Sequence, residues 1–110
     1  MKIEILAIGR NDEIMQTLLR IINKNENWNA AGSLTDEEAI RIFDNANPAI
    51  VLLSNGIDDA SENKLRSYFS SKNPSVIIIQ HFGGGSGLLK NEILEALNAK
   101  VLKKEEKHLF

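Results

Sequence analysis

Apolar residues along this chain fall into two alternating kinds of segment. Short, nearly continuous runs occur at Ile3 to Ile8, Ile50-Val51-Leu52-Leu53 and Val76-Ile77-Ile78-Ile79. Runs of this length and composition are how strands buried on both faces of a parallel sheet read. Between them apolar residues recur at spacings of three and four, the mark of amphipathic helices. Ile14, Leu18, Ile21 and Ile22 form one such face, and Ala39, Ile42, Phe43 and Ala46 a second. Leu65, Tyr68 and Phe69 give a third, and Leu89, Ile93 and Leu97 a fourth.

Local signals punctuate this pattern. Gly9 ends the first strand, and Asn11 is placed to cap a helix whose first turn carries Asp12 and Glu13, acids that suit a positive helix terminus. The polar run Asn23 to Asn27 closes that helix, and Trp28 to Gly32 reads as a short strand. Thr35-Asp36-Glu37-Glu38 is a capping box for the second helix, and Pro48 stops it. Ser54-Asn55-Gly56 follows the third strand, a helix is predicted from Asp58 to Ser71, and Pro74 introduces the fourth strand. The segment QHFGGGSG, Gln80 to Gly87, leads into a helix predicted from about Leu88 to Leu97. Lys100-Val101-Leu102-Lys103 is a candidate for a short fifth strand.

Strand and helix thus alternate with short connections, which implies right-handed crossovers and helices on both faces of a parallel sheet. The expectation is one α/β domain over residues 1–110, a three-layer doubly wound parallel sheet of the flavodoxin kind. Ligands of such sheets bind beyond the carboxyl ends of the strands. Those ends are Gly9-Arg10-Asn11, Ser54-Asn55-Gly56, Gln80-His81 with the glycine loop, and the region of Lys103-Lys104.

Composition narrows the chemistry. With 110 residues, 43% hydrophobic and 25% charged, the chain is long enough for one real core and too short for two ordinary domains. The net charge of −2 gives no basic field for nucleic acid or an acidic membrane surface. Lys100, Lys103, Lys104 and Lys107 alternate with Glu105 and Glu106 and read as a solvated tail. The absence of cysteine removes disulfides, thiolate metal sites and cysteine nucleophiles. No apolar run approaches the roughly 20 residues of a membrane span, and no signal peptide precedes the first strand, so a cytoplasmic location is expected.

The segments ILAIGRNDEIMQTLLRII, AAGSLTDEEAIRIFDNANPAIVLLSNG and PSVIIIQHF, in that order and spacing, resemble the receiver domain of bacterial response regulators. The likeness covers about residues 2–104 and rests on patterning. It implies a receiver-like sheet, here with a truncated or missing final helix because few residues remain after Lys104. It also implies a site from which this chain departs. The acidic pair that holds Mg²⁺ in receivers matches Gly9 and Arg10, the phosphoaccepting aspartate matches Ser54, and the Ser or Thr ending the fourth strand matches Gln80. The lysine after the fifth strand matches Lys103 or Lys104.

Mg²⁺ takes oxygen ligands and neutralises charge during phosphoryl transfer, and a guanidinium supplies the opposite chemistry. The expectation is therefore a pseudo-receiver with no bound metal, no cofactor, no enzymatic activity and no obligatory small-molecule ligand. It would signal through a protein partner or as a homodimer, since the missing helix leaves a flank of the sheet uncovered. Asp12, Asp58 and Asp59 are most simply helix-opening acids. Arg10 is placed to pair with Asp58 or Asp59 or to hold an anion. His81 and His108 lack any partner at metal or triad spacing, and Trp28, Phe43, Tyr68 and Phe69 read as core.

One alternative comes from the glycine loop. Gly83, Gly84, Gly85 and Ser86 before a helix present backbone amides to an anion, and with Arg10 they would suit a small phosphate-handling phosphocarrier protein. The loop lacks the P-loop lysine and the dinucleotide fingerprint, and a slack connection explains the glycines equally.

Overall fold

The computed structural model describes the backbone of residues 2–81 and 86–108 and the side chains of residues 2–81 and 88–99. Four strands and four helices alternate: β1 (Ile3–Ile8), α1 (Asp12–Asn23), β2 (Trp28–Ser33), α2 (Asp36–Ala46), β3 (Ile50–Leu53), α3 (Asp59–Lys72), β4 (Ile77–Gln80) and α4 (Ser86–His108). The strands form one parallel sheet in the order β2-β1-β3-β4. This is the doubly wound, three-layer arrangement the alternation predicts.

The period-two geometry of the strands splits the core in two. Ile5, Ala7, Ile50 and Leu52 point to the face covered by α1 and α4, where Met15, Leu18, Ile22, Trp28, Leu89 and Ile93 close over them. Leu6, Ile8, Val51 and Leu53 point to the other face, against Ala39 and Phe43 of α2 and Leu65 and Phe69 of α3. Phe43 and Phe69 stack with ring centroids 4.5 Å apart, joining α2 to α3. Tyr68, expected inside, is half-buried at the edge of this cluster and donates its hydroxyl to Asp44.

Two predicted faces are corrected by the packing. Ile14 is 44% exposed, and its neighbour Met15 takes the inward position. Met15 lies over Gly32 of β2, where an added Cβ would come within 2.7 Å of its sulfur, so the thioether fills the space a glycine leaves. On α2, Ala46 is exposed because the helix stops there, Asn47 adopting the left-handed conformation with φ 46°.

The larger correction concerns the end of the chain. Residues 100–103 are not a fifth strand but part of α4, which runs unbroken from Ser86 to His108. No fifth strand and no fifth helix occur among the described residues. A crossover to a further parallel strand beyond β4 would place its helix on the α2 and α3 side, as α3 is. With no such strand to reach, α4 packs through Leu89, Ile93 and Leu97 on the α1 side instead. β4 is therefore the edge of the sheet, and Ile77, Ile78, Ile79 and Gln80 are all only half-buried. No described helix is long and apolar enough to cross a membrane.

Candidate functional site at the carboxyl ends of the strands

The parallel sheet brings the ends of β1, β3 and β4 into one row. Gly9 N–H donates to the Ser33 carbonyl at 3.1 Å, Ser54 N–H to Ile8 at 2.8 Å and His81 N–H to Leu53 at 2.8 Å, so the ladder extends one residue past each strand. Gly9, Ser54 and His81 are neighbours in this row and all three are buried. Ser54 fits against Gly9 closely enough that a Cβ there would lie 3.2 Å from the serine Cβ.

Arg10 follows Gly9 and turns toward α2. Its Nη1 donates to the Leu34 carbonyl at 3.1 Å and its Nη2 to Asp36 Oδ1 at 2.5 Å. Lys64 of α3 reaches the other carboxylate oxygen at 3.0 Å. The Asp36 side chain is 8% exposed, against 30% for Arg10 and 55% for Lys64, so a nearly buried anion is held by two cations on its solvent side. Burial pulls the Asp36 carboxyl up, but hydrogen bonds from Arg10, Lys64 and Ser61 outweigh it and bring the pKa from 3.8 down to about 2.

Arg10 thus does not pair with Asp58 or Asp59. Asp58 is the N-cap of α3, accepting from Ser61 N–H at 2.8 Å, and Asp59 is in the first turn, as helix-opening acids should be. Asn11 likewise caps α1 by accepting from Ile14 N–H at 3.0 Å, with Asp12 in the first turn. Thr35 accepts from Glu38 N–H at 3.2 Å, but its own N–H turns to Ser33 Oγ at 3.3 Å, so only half of the expected capping box forms. Gly56, with φ 93°, lies against the stem of Arg10 and leaves room for it to pass.

Two further side chains belong to the mouth. Gln80 accepts from Arg66 Nη2 at 3.5 Å, and Arg66 is itself anchored on Glu62 at 2.9 Å, one turn earlier on α3. His81 is 3% exposed, and its Nδ1 lies 2.8 Å from Glu92 Oε1 of α4. This bond ties the end of β4 to the last helix, a partner for His81 that sequence spacing did not reveal. Lys103 lies inside α4 and does not follow a strand, so its match to the receiver lysine is lost. Gly83, Gly84 and Gly85 lie outside the described residues, and Ser86 is described only as the first residue of α4.

Sequence reasoning therefore found Gly9, Arg10, Ser54 and Gln80 at one mouth and missed Asp36, Lys64, Arg66 and Glu92. Asp36 was in principle accessible, because helices that follow strands of a parallel sheet start at the carboxyl edge, so their opening acids line the mouth. Among the described residues no three His, Asp or Glu side chains are grouped to hold a metal ion. A separate cleft of about 280 Å³, between the end of α1, Trp28, Leu89 and Lys90, contains none of these residues.

The chain superposes on solved receiver domains over nearly its whole length. The signal receiver domain of an HD domain-containing protein from Pseudomonas fluorescens aligns with a TM-score of 0.75 at 12% identity, covering 91% of this chain and 98% of that one. The fold is that of receiver domains. A response regulator receiver domain protein from Clostridium thermocellum aligns at 0.72 with 16% identity over 91% of this chain and 98% of that one. A CheY-like receiver domain protein from Methanospirillum hungatei aligns at 0.68 with 15% identity over 94% and 99%. No protein-family model matches the sequence, and no curated protein matches it. The receiver-like frame is thus carried by three-dimensional arrangement, at identities too low to carry side-chain chemistry with it.

Proposed function

We propose that this chain is a receiver-like signalling module that works through protein contacts and is not switched by aspartyl phosphorylation. The observation that carries this reading is the Arg10–Asp36–Lys64 cluster at the mouth. Where a phosphorylatable site needs carboxylates to hold Mg²⁺, this mouth presents a guanidinium fixed to Asp36 and to the Leu34 carbonyl. Where it needs a carboxylate nucleophile, it presents a buried Ser54 hydroxyl packed on Gly9. The fixed positive charge stands in place of a metal ion and holds β1, α2 and α3 in one arrangement. The module is accordingly not an enzyme, and its output is a contact with a second copy or another protein.

The phosphocarrier alternative needs Arg10 free to take an anion, and both of its terminal nitrogens are engaged within the protein. One experiment separates the two. The protein is treated with acetyl phosphate and Mg²⁺, and separately with inorganic phosphate, while intact mass and the amide signals of Arg10 and Gly83 to Gly87 are followed. Unchanged mass and signals are expected. A covalent phosphoryl adduct would overturn the proposal, and a saturable shift confined to Arg10 and the loop would establish the anion-binding alternative.

A further inference from the structure

We infer that the outer edge of β4 pairs antiparallel with β4 of a second copy, so that two four-stranded sheets join into one continuous sheet. This rests on the protein-contact reading and names its interface. The hydrogen bonds of β4 fix which groups face outward. Ile77 N–H donates to Ala49 and His81 N–H to Leu53, in register with Ile50↔Ile77 and Leu53↔Gln80. In a parallel ladder alternate residues serve the same neighbour. Ile77, Ile79 and His81 therefore bond to β3, while the N–H and C=O of Ile78 and Gln80 point away from it. Among the described residues no strand lies beyond β4 to receive them.

Edges of this kind are normally blunted by a charge, a proline, a bulge or a covering element. β4 reads Ile-Ile-Ile-Gln, with no charge and no proline, and its residues are half-exposed. Among the described residues α4 follows it, and its Leu89, Ile93 and Leu97 pack on the α1 face rather than over the edge. Such a strand is built to be covered.

A second copy fits because the edge is its own complement. A two-fold axis at Ile79 sets Ile79 opposite Ile79, as a pair without hydrogen bonds, and Ile78 opposite Gln80 in both directions, as hydrogen-bonded pairs. That register satisfies every outward N–H and C=O of Ile78 and Gln80 in both copies. It also places Ile79 against Ile79, and β4 itself carries no charge.

Because the chain has no cysteine, Ile79→Cys creates a protein whose sole possible disulfide joins the two copies at the axis, where the pair geometry suits a disulfide. Under mild oxidation it is expected to cross-link, while Ser70→Cys, exposed on α3, is not. Gln80→Pro removes an outward donor from each copy and fills its place with a ring, leaving the bonds to β3 intact. It is expected to weaken self-association by about tenfold or more in sedimentation. In the unaltered protein, the amides of Ile78 and Gln80 should gain exchange protection as concentration rises, which holds the test open if either variant misfolds. A protein that stays monomeric, or a dimer whose Ile78 and Gln80 amides gain no protection, overturns the pairing. Neither result touches the proposed lack of phosphorylation, which the acetyl phosphate experiment tests by itself.

Discussion

Arg10, one residue beyond the close approach of Gly9 to Ser54, donates its guanidinium to Asp36 at the start of α2, 26 positions away. The bond joins the end of β1, one of the two inner strands, to a helix on one face of the sheet, and Lys64 extends it to α3. A buried carboxylate that loses a partner retains its desolvation cost without full compensation. Lys64 would remain after Arg10→Ala, and Arg10 is partly exposed, so the loss is expected to be about 1–2 kcal/mol and not the full value of a buried pair. Thermal denaturation should show a midpoint lowered by several degrees. An unchanged midpoint would mean that the cluster is not holding the three elements together.

The same carboxylate gives a pH signature. With its pKa lowered from 3.8 to about 2, Asp36 binds its proton less readily folded than unfolded. Its contribution is therefore fully present above pH 4 and is lost as pH falls from about 4 through about 2. The amount is on the order of 2 kcal/mol. Arg10→Gln removes a charged donor, moves the folded pKa back toward the unfolded value and should flatten the acid limb of the stability curve. Urea unfolding at a series of pH values measures this directly. Parallel curves for the two proteins would contradict the assignment.

Gly56 offers a test of how Arg10 is seated. Its φ of 93° lies where side chains are strained, and an added Cβ would meet Arg10 Cβ at 3.1 Å. Gly56→Ala should cost about 1–3 kcal/mol from backbone strain alone. If the glycine also positions the guanidinium, combining Gly56→Ala with Arg10→Ala should cost less than the sum of the two. Strict additivity in that double-mutant cycle would leave Gly56 with a backbone role only.

The sequence carried some of these features and concealed others for identifiable reasons. Ile50 to Leu53 is fully buried because helices cover both faces, so its apolar run announced a central strand without ambiguity. Met15 was hidden behind Ile14, since both fit helical spacing with Leu18 and Ile22, and only the gap over Gly32 decides which turns inward. Val101-Leu102 suggested a strand, although no glycine or proline interrupts the strong helix formers between Leu88 and His108, a signal that outweighs an apolar doublet. The substitutions at Gly9, Arg10, Ser54 and Gln80 were legible because each sits at a strand end. The partners of Gln80 and His81 were not, because Arg66 and Glu92 reach the mouth from within helices whose rotation only packing sets, whereas Asp36 opens α2 at the carboxyl edge and was placed there by topology.

His81 and Glu92 supply the last prediction. The imidazole is nearly inaccessible, and among the described residues its bond to Glu92 is the polar link between β4 and α4, beside the apolar packing of Leu89, Ile93 and Leu97. Glu92→Ala removes a partner from a buried ring nitrogen, which costs about 1–3 kcal/mol where nothing replaces it. Glu92 is partly exposed, so water can enter and the lower end of that range is expected. The effect should be local. Amide exchange ought to rise along residues 88–97 while β1 and β3 stay protected, because they are held by both core clusters and α4 contributes to just one. Glu92→Gln, which keeps a hydrogen-bonding side chain of the same length, should restore most of the protection. Equal exchange in Glu92→Ala and the unaltered protein would show that apolar packing alone docks the helix.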